Sequence, residues 1–363
     1  MAHSTTSLAP RRRAGAVAVA LAALLGVAAC GGETPAEVIT PDPVTVAPEI
    51  VEDRVAAPEA EMPIVWPLTG VAVEEVPARP SVSVKIENTS VARPQAGLEQ
   101  ADVVWENIVE FDVSRFIAVF HSQVPDEVGP IRSVRPVDPV VVAPLKGLLA
   151  YSGGQPGILS LVYNSPSQSI AHDAGAAGMY RVSHRSAPHN VYGSIEAFLN
   201  QANADHQAAP ERQFGFAADA VLASAVVSGT PATNLNFRLS GASNPVWDWD
   251  EATGTWLRSE GSTAATVASG ARISAVNVVA ITAEHPNTGF GAQNGALVPT
   301  YNLVGEGEAV VATGGRTIAG TWKKAGEADP LRVYAADGTE LLLAPGNTWV
   351  ELIPAGKGSL TIG

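Results

Sequence analysis

Only one cysteine, Cys30, occurs in the 363 residues, so the chain cannot close a disulfide within itself. Basic residues are also scarce, 22 against 36 acidic ones. A protein this acidic lacks the net basic face that a phosphate backbone needs, which excludes nucleic acid as a main partner. Beyond residue 29 no apolar run is long enough to cross a bilayer as a helix. Catalytic signatures are missing as well: there is no G-x-S-x-G elbow, no H-E-x-x-H pair, no phosphate-binding loop of the G-x-x-x-x-G-K type and no C-x-x-C. No motif calls for a cofactor.

What is present begins with an address. "RRR" at 11–13 precedes an uncharged apolar run from Ala14 to Ala29, and "LGVAA" leads into Cys30. This pattern reads as a secretory signal peptide over residues 1–29. Small residues before a lone cysteine are similar to a bacterial lipobox, which implies that Cys30 becomes the lipidated first residue of the mature protein. A thiol nucleophile is then excluded. The expected location is the outer face of the bacterial cytoplasmic membrane, with Sec and Tat export both open. Removing residues 1–29 takes away three arginines and no acids, leaving 19 basic against 36 acidic residues and a formal charge of −17. Such a chain is not drawn to anionic lipid by charge, so the acyl chains must supply the membrane attachment.

Residues 30–63 carry prolines throughout and, after Cys30, eight acids against one arginine, with no helical or strand period. Such a segment stays extended and solvated, and in a polyproline-like state it spans up to about 100 Å. It reads as a tether. From Trp66 the pattern changes. "SVSVKIEN" (81–88) alternates as a strand with Lys85, Glu87 and the serines on one face. "DVVWENIVE" and "SRFIAVFHSQ" read as strands joined by a turn. Pro94 marks a helix start at 93–101, Ser194 caps a helix over 195–204, and "AADAVLASAVV" reads as a further helix. After Phe237 the chain turns into β-structure, with "PVWDWDEATGTWLRS" as a hairpin and Asp337-Gly338 as a turn. The expected organisation is a mixed α and β domain at 66–205, a small-residue-rich linker at 206–236 and a mainly β domain at 237–356.

"WPLTG" (66–70), "VKIEN" (84–88), "ARPQAGLEQADVVWENIVE" (92–110), "RFIAVFHSQ" (115–123), "GPIRSVRPVD" (129–138) and "APHNVY" (187–192), together with the later run "GTWKK…DGTELLLAPGNTWVEL", resemble the YerB-like lipoproteins. The resemblance covers nearly all of 66–356. It implies an α+β fold, with a layered β/β/α N-terminal domain followed by a mainly β C-terminal domain, and a cell-envelope lipoprotein. It implies little about chemistry.

The residues themselves point to an anion. "VGPIRSVRPVD" (128–138) sets Arg132 and Arg135 between Gly129-Pro130 and Pro136, fixing two guanidinium groups on constrained backbone in an acidic chain. Guanidinium binds carboxylate and phosphate bidentately, and a rigid backbone lowers the entropy lost on binding. Lys85, Arg93, Arg115 and Arg181 also lie on or beside ordered segments, and His189 and Asn190 follow in "PHN". Glu87, Asn88, Glu106 and Asp138 complete the candidate ligand-binding set; the acids would equally serve as partners in structural ion pairs. Among His172, His184 and His189, Pro188 prevents a helical histidine pair and nothing fixes a third ligand, so no metal site is assigned. Three classes of function remain: a binding or accessory lipoprotein engaging an anionic or cell-wall ligand or an envelope protein partner, an envelope enzyme acting on a phosphate- or sugar-containing wall substrate through an Arg/His cleft, and a structural spacer with no small ligand.

Overall fold

A computed structural model describes residues 63–292 and 295–363. The signal peptide, Cys30 and nearly all of the expected tether lie outside the described residues. The first half supplies β1 (Val82–Glu87), β2 (Val103–Ile108), β3 (Ser114–Phe120), β4 (Leu148–Tyr151) and β5 (Gln168–Ala171), then a ribbon of β6 (Met179–Arg181) and β7 (Val191–Gly193). Its helices are short: α1 (Val137–Val142), α2 (Pro156–Tyr163) and α3 (Ile195–Leu199). Beyond α4 (Ser224–Ser228) come β8 (Thr230–Pro231), β9 (Asn234–Arg238), β10 (Pro245–Asp250), β11 (Thr255–Glu260), β12 (Thr263–Ala264), β13 (Ser274–Ala275) and β14 (Asn277–Ala283). β15 (Asn287–Gly291), β16 (Leu297–Pro299), β17 (Gly305–Thr313), β18 (Arg316–Lys324), β19 (Arg332–Tyr334), β20 (Thr348–Pro354) and β21 (Ser359–Ile362) complete the chain.

One sheet runs through both halves, in the order β19-β18-β17-β14-β20-β2-β3-β1-β4-β5. The join is the parallel pairing of β2 with β20, in which Val103 faces Thr348 and Glu106 faces Glu351. A second sheet, ordered β12-β11-β10-β9-β21, packs against one face of the first. That face carries Ile86, Phe116 and Glu106, which are register partners across β1, β3 and β2. The opposite face carries Lys85, which reaches Asp138 of α1. The molecule is therefore α+β, with β, β and α layers, and the outer β layer comes from residues 234–275 and 359–362 rather than from the first half alone.

Every residue of β1 is buried. Its alternation separates an aliphatic face from a polar face, as read from the sequence, but both faces are covered, so Ser83 and Lys85 are interior residues. Ser194 caps α3, its side chain accepting from the Ala197 amide. The helix expected at 93–101 is only a single turn, Leu98–Gln100, entered through Gly97 in the left-handed region (φ 80°). "AADAVLASAVV" breaks into a 3-10 turn and α4 because Ala223 between them is extended (φ −61°, ψ 140°).

The segment 206–236, read as a linker, is packed down. Phe214 is buried and stacks on Trp105 at 6.3 Å. Gly215 and Ala217 exchange backbone hydrogen bonds with Leu343 at 2.9 and 2.8 Å, and the Ser224 amide donates to Leu342 at 2.9 Å. Two aromatics, Phe214 and the partly buried Phe216, and a ladder of backbone bonds hold a stretch whose composition is otherwise rich in small residues.

Candidate functional site

β1, β4 and β5 run parallel. Their carboxyl ends therefore open on one side, where crossover loops leave a crevice. Glu87 ends β1, Ser152 follows β4 and Asp173 follows β5; all three line a cleft of about 680 Å³. That volume lies within the usual range for small-molecule sites, about 300–1,000 Å³. The loop after β4, "SGGQPG", turns sharply into α2. Gly153 sits at φ 125°, backbone that favours glycine, and Asp173 Oδ2 lies 2.1 Å from where a Cβ would be, so the two loops meet there.

"GPIRSVRPVD" crosses the strand ends and is stitched down along its length. The Glu87 amide donates to Pro130 O at 3.0 Å, the Arg132 amide to Lys85 O at 2.8 Å and the Ile131 amide to Val191 O at 2.7 Å. The Val134 amide donates to Gly153 O, and the Ser152 amide to Arg132 O, each at 3.0 Å. Gly129 (φ 154°) passes so close to Tyr192 that a Cβ would lie 2.8 Å from its ring. Below this strap, Asp138 accepts from the Arg135 amide at 2.7 Å and pairs with Lys85 Nζ at 2.7 Å, both side chains fully buried. Lys85 also donates to Asn107 Oδ1 at 2.7 Å. Burial pulls the Lys85 ammonium down to about 8, although Asp138 opposes that shift. Lys85 and Asp138 thus fix the backbone from which the arginines project; they do not face the cleft.

Four arginines line the cleft, Arg115, Arg132, Arg135 and Arg181, against three carboxylates, Glu87, Glu110 and Asp173. The arginines differ in how well they are answered. Arg135 Nε lies 2.5 Å from Glu110 Oε2. Arg132 Nε lies 3.4 Å from Glu87 and its Nη1 donates to Pro188 O at 3.2 Å. Arg181 donates to the Asn190 side chain at 2.7 Å, and Asn190 is held in turn by Val182 O. Arg115 is only 7% exposed, donates once, to Ser133 O at 2.7 Å, and has no carboxylate within 4 Å among the described residues. Burial, then the neighbouring Arg135 and Arg132, weaken its hold on the proton. A buried guanidinium stays charged and requires an anion to offset its desolvation.

The acids are also tightly held. Glu87, almost fully buried, receives Thr89 Oγ1 at 2.8 Å and holds His189 Nδ1 at 2.8 and 2.9 Å, leaving the other ring nitrogen outside that contact. Glu110 spends Oε2 on Arg135, while its buried Oε1 has no hydrogen-bond partner. The next residue, Phe111, is 62% exposed on the cleft rim and adopts left-handed backbone (φ 64°, ψ 24°). That conformation costs a non-glycine residue about 1–2 kcal/mol. From the second half, Ala292 lines the same cleft, and the Phe290 ring rests on Gly157 of α2, where a Cβ would lie 2.4 Å from Cε1.

The structure therefore brings Glu87, Arg115, Arg132, Arg135, Arg181 and His189 of the sequence-derived set to one cleft. Asn190 stands behind Arg181. Glu106, Asn88 and Arg93 belong to a different cluster, between the two sheets. There Arg258, fully buried, meets Glu106 at 2.7 Å, Glu260 at 2.8 Å and Glu351 at 2.8 Å. Its guanidinium also lies 5.0 Å from the Trp349 ring centroid. Asn88 donates to Glu106 at 3.3 Å, and Arg93 lies 3.8 Å from Glu260. His172 pairs with Asp173 and His184 packs near Tyr192. Among the described residues no group of three or more His, Cys, Asp or Glu has metal-binding geometry. Sequence reasoning missed Phe111, Asp173 and the 152–155 loop as cleft residues. The glycine pair before a proline at a strand end was the available signal for that loop, and none marked Phe111.

Two family models match in sequence order. "Protein of unknown function (DUF3048) N-terminal domain" covers residues 68–208, and the DUF3048 C-terminal domain covers residues 235–350. The chain is 26% identical over 314 residues to "Putative lipoprotein YerB" of Bacillus subtilis, covering 84% of this chain and 90% of that protein. The crystal structure of the YerB protein from Bacillus subtilis superposes with a TM-score of 0.71 at 23% identity, covering 82% of this chain and 99% of that one. This likeness shows the shared fold.

Proposed function

The chain belongs to the DUF3048 family, and we propose that it is a membrane-anchored binding protein of the bacterial cell envelope whose cleft captures an anionic ligand. The observation that carries this reading is Arg115: a guanidinium more than nine-tenths buried, lining a cleft, with one hydrogen bond and no carboxylate within 4 Å among the described residues. Arg132 and Arg135, from one strap, and Arg181, from the end of β6, converge on the same space. A bound phosphate or carboxylate would supply the acceptors that Arg115 lacks. The test is calorimetric titration of the detergent-solubilised full chain with inorganic phosphate, sulfate and acetate. Saturable binding that Arg115→Gln abolishes supports the reading. No binding by any of the three anions sinks it.

Attachment through Cys30 accords with the lipoprotein name of the Bacillus relative and with the tethered sequence plan. Cys30→Ala should leave the protein unprocessed or released into the medium; an unchanged, lipid-labelled membrane product would exclude the anchor.

A second reading, an envelope enzyme acting on a phosphate- or sugar-containing wall substrate, is favoured by one observation. Glu87 orients His189 through Nδ1 as a carboxylate orients the base of a proton-transfer dyad. Turnover of a chromogenic phosphoester that is lost in both His189→Gln and Glu87→Gln would select it. Binding without turnover selects the accessory protein.

A further inference from the structure

We infer that the ligand is a sugar phosphate, with the phosphate on the arginines and the sugar ring on Phe111. This deepens the proposed anion site and rests on it. Three features of the cleft are not needed by a bare anion. The first is the free oxygen of Glu110. Oε1 is buried, has no partner, and belongs to a carboxylate whose other oxygen is fixed by Arg135. A carboxylate oxygen repels a phosphate and accepts only from a donor, so this oxygen favours a ligand that carries hydroxyl or amide hydrogens beside its charge. The second is Phe111. A large apolar ring left 62% exposed, on the rim of a charged cleft and on left-handed backbone, is neither core packing nor relaxed surface. Strain of this kind persists where the surrounding structure holds a side chain in a working position. An exposed aromatic face provides a platform for the C–H face of a ring. The third is the rest of the lining. Thr89, Ser133, Ser152 and Gln155 add short polar side chains around the arginines, suited to several hydroxyl groups in fixed directions.

A nucleotide fits these features less well. Among the described residues the rings lining the cleft are Phe111 and the His189 imidazole, and His189 is held by Glu87, so Phe111 is the ring left free to stack on a base. A simple dicarboxylate would leave Glu110 Oε1 and Phe111 without any contact.

The experiment compares inorganic phosphate, glucose 1-phosphate, glucose and AMP as calorimetric titrants of the detergent-solubilised full chain. Glucose 1-phosphate should bind at least about tenfold tighter than inorganic phosphate, and glucose alone should bind more weakly than either. In Phe111→Asn, which keeps a residue tolerant of left-handed backbone, the ratio of the two phosphate affinities should fall toward one; in Phe111→Trp it should be retained. Equal affinities for phosphate and glucose 1-phosphate would overturn the sugar assignment while leaving the anion site standing. Tighter binding of AMP than of glucose 1-phosphate would also overturn it. Absence of binding by every phosphate compound would remove the anion site and the sugar assignment together. A ratio unchanged in Phe111→Asn would overturn the role given to that ring.

Discussion

Glu106 and Glu351 face each other across the parallel pairing of β2 with β20, and both reach the same buried guanidinium, Arg258. Two carboxylates this close cannot both ionise without severe repulsion. Burial and then the charge of Glu106 push Glu351 well above the usual carboxylate range, so of the two acids Glu351 is the one that favours holding a proton. Burial would raise Glu106 too, but Arg258 and hydrogen bonds from Glu351 and Ser114 bring it below its ordinary value. The pair joins the two halves of the large sheet and, through Arg258 on β11, ties that sheet to the second one.

Glu351→Gln should be tolerated at pH 7, because the amide oxygen can accept from Arg258 and Trp247 as Glu351 Oε1 does, and the amide nitrogen can donate toward Glu106 without adding a second charge. The pH dependence follows from linkage. A carboxyl whose folded pKa is raised holds a proton that the unfolded chain releases above the ordinary value of 4.5. Its contribution is fully present below that pH and declines as pH rises toward the folded pKa. The stability difference, variant minus wild type, should therefore grow in the variant's favour above about pH 4.5. Urea unfolding at several pH values checks this, and a difference that shrinks with rising pH would refute the protonated state of Glu351.

The two halves should unfold together. The β2–β20 join, the Arg258 cluster and the docked 206–236 segment all cross the boundary between them. Calorimetry should give one transition, and limited proteolysis should not release a stable fragment ending within 214–228. Two resolved transitions would mean that these contacts are weaker than the cores they connect.

The strands were legible because central, apolar strands announce themselves by composition. β1, β2 and β3 could be placed from "VSVKIE", "VVWENI" and "SRFIAVF", since β-branched and aromatic residues crowd there. The strap was legible for a similar reason: glycine and proline around two arginines are local signals. Partners were not. Nothing local says that Glu106 meets Arg258, 152 residues away, rather than Arg132. Alternation also marks Lys85 as polar without saying that a helix covers it. Helices of three to eight residues contain too few turns to show a period, which is why 93–101, 195–204 and 217–227 read too long. Phe111 carried no signal, because its role depends on left-handed backbone and exposure, both set by tertiary structure.

Asp138→Ala should be far more damaging than its distance from the cleft suggests. It would leave the Lys85 ammonium in the interior with only Asn107 as partner and would release the Arg135 amide. Removing one member of a buried ion pair typically costs about 3–5 kcal/mol. Urea unfolding measures the loss directly. A change below about 1 kcal/mol would mean that Lys85 sheds its proton and the strap holds without the pair.

Arg132 and Arg135 should separate when substituted, although they lie three residues apart on the same strap. Arg135 is committed to Glu110, whose side chain is almost wholly buried. Arg135→Ala leaves that carboxylate without its cation, so stability and anion affinity should fall together. Arg132 is looser: its Nε lies 3.4 Å from Glu87, in a carboxylate that already holds Thr89 and His189, and that nitrogen has no hydrogen bond of its own. Glu87 would keep two partners without it. Arg132→Lys should therefore leave the melting temperature nearly unchanged and weaken phosphate binding, because an ammonium cannot reproduce the planar fork of guanidinium. A charged hydrogen bond contributes about 1.5–3 kcal/mol, which corresponds to roughly ten- to a hundredfold in affinity. Thermal melting and phosphate titration of the same two variants decide the matter. If Arg132→Lys melts as early as Arg135→Ala and binds phosphate like the wild type, then Arg132 serves the fold and not the ligand.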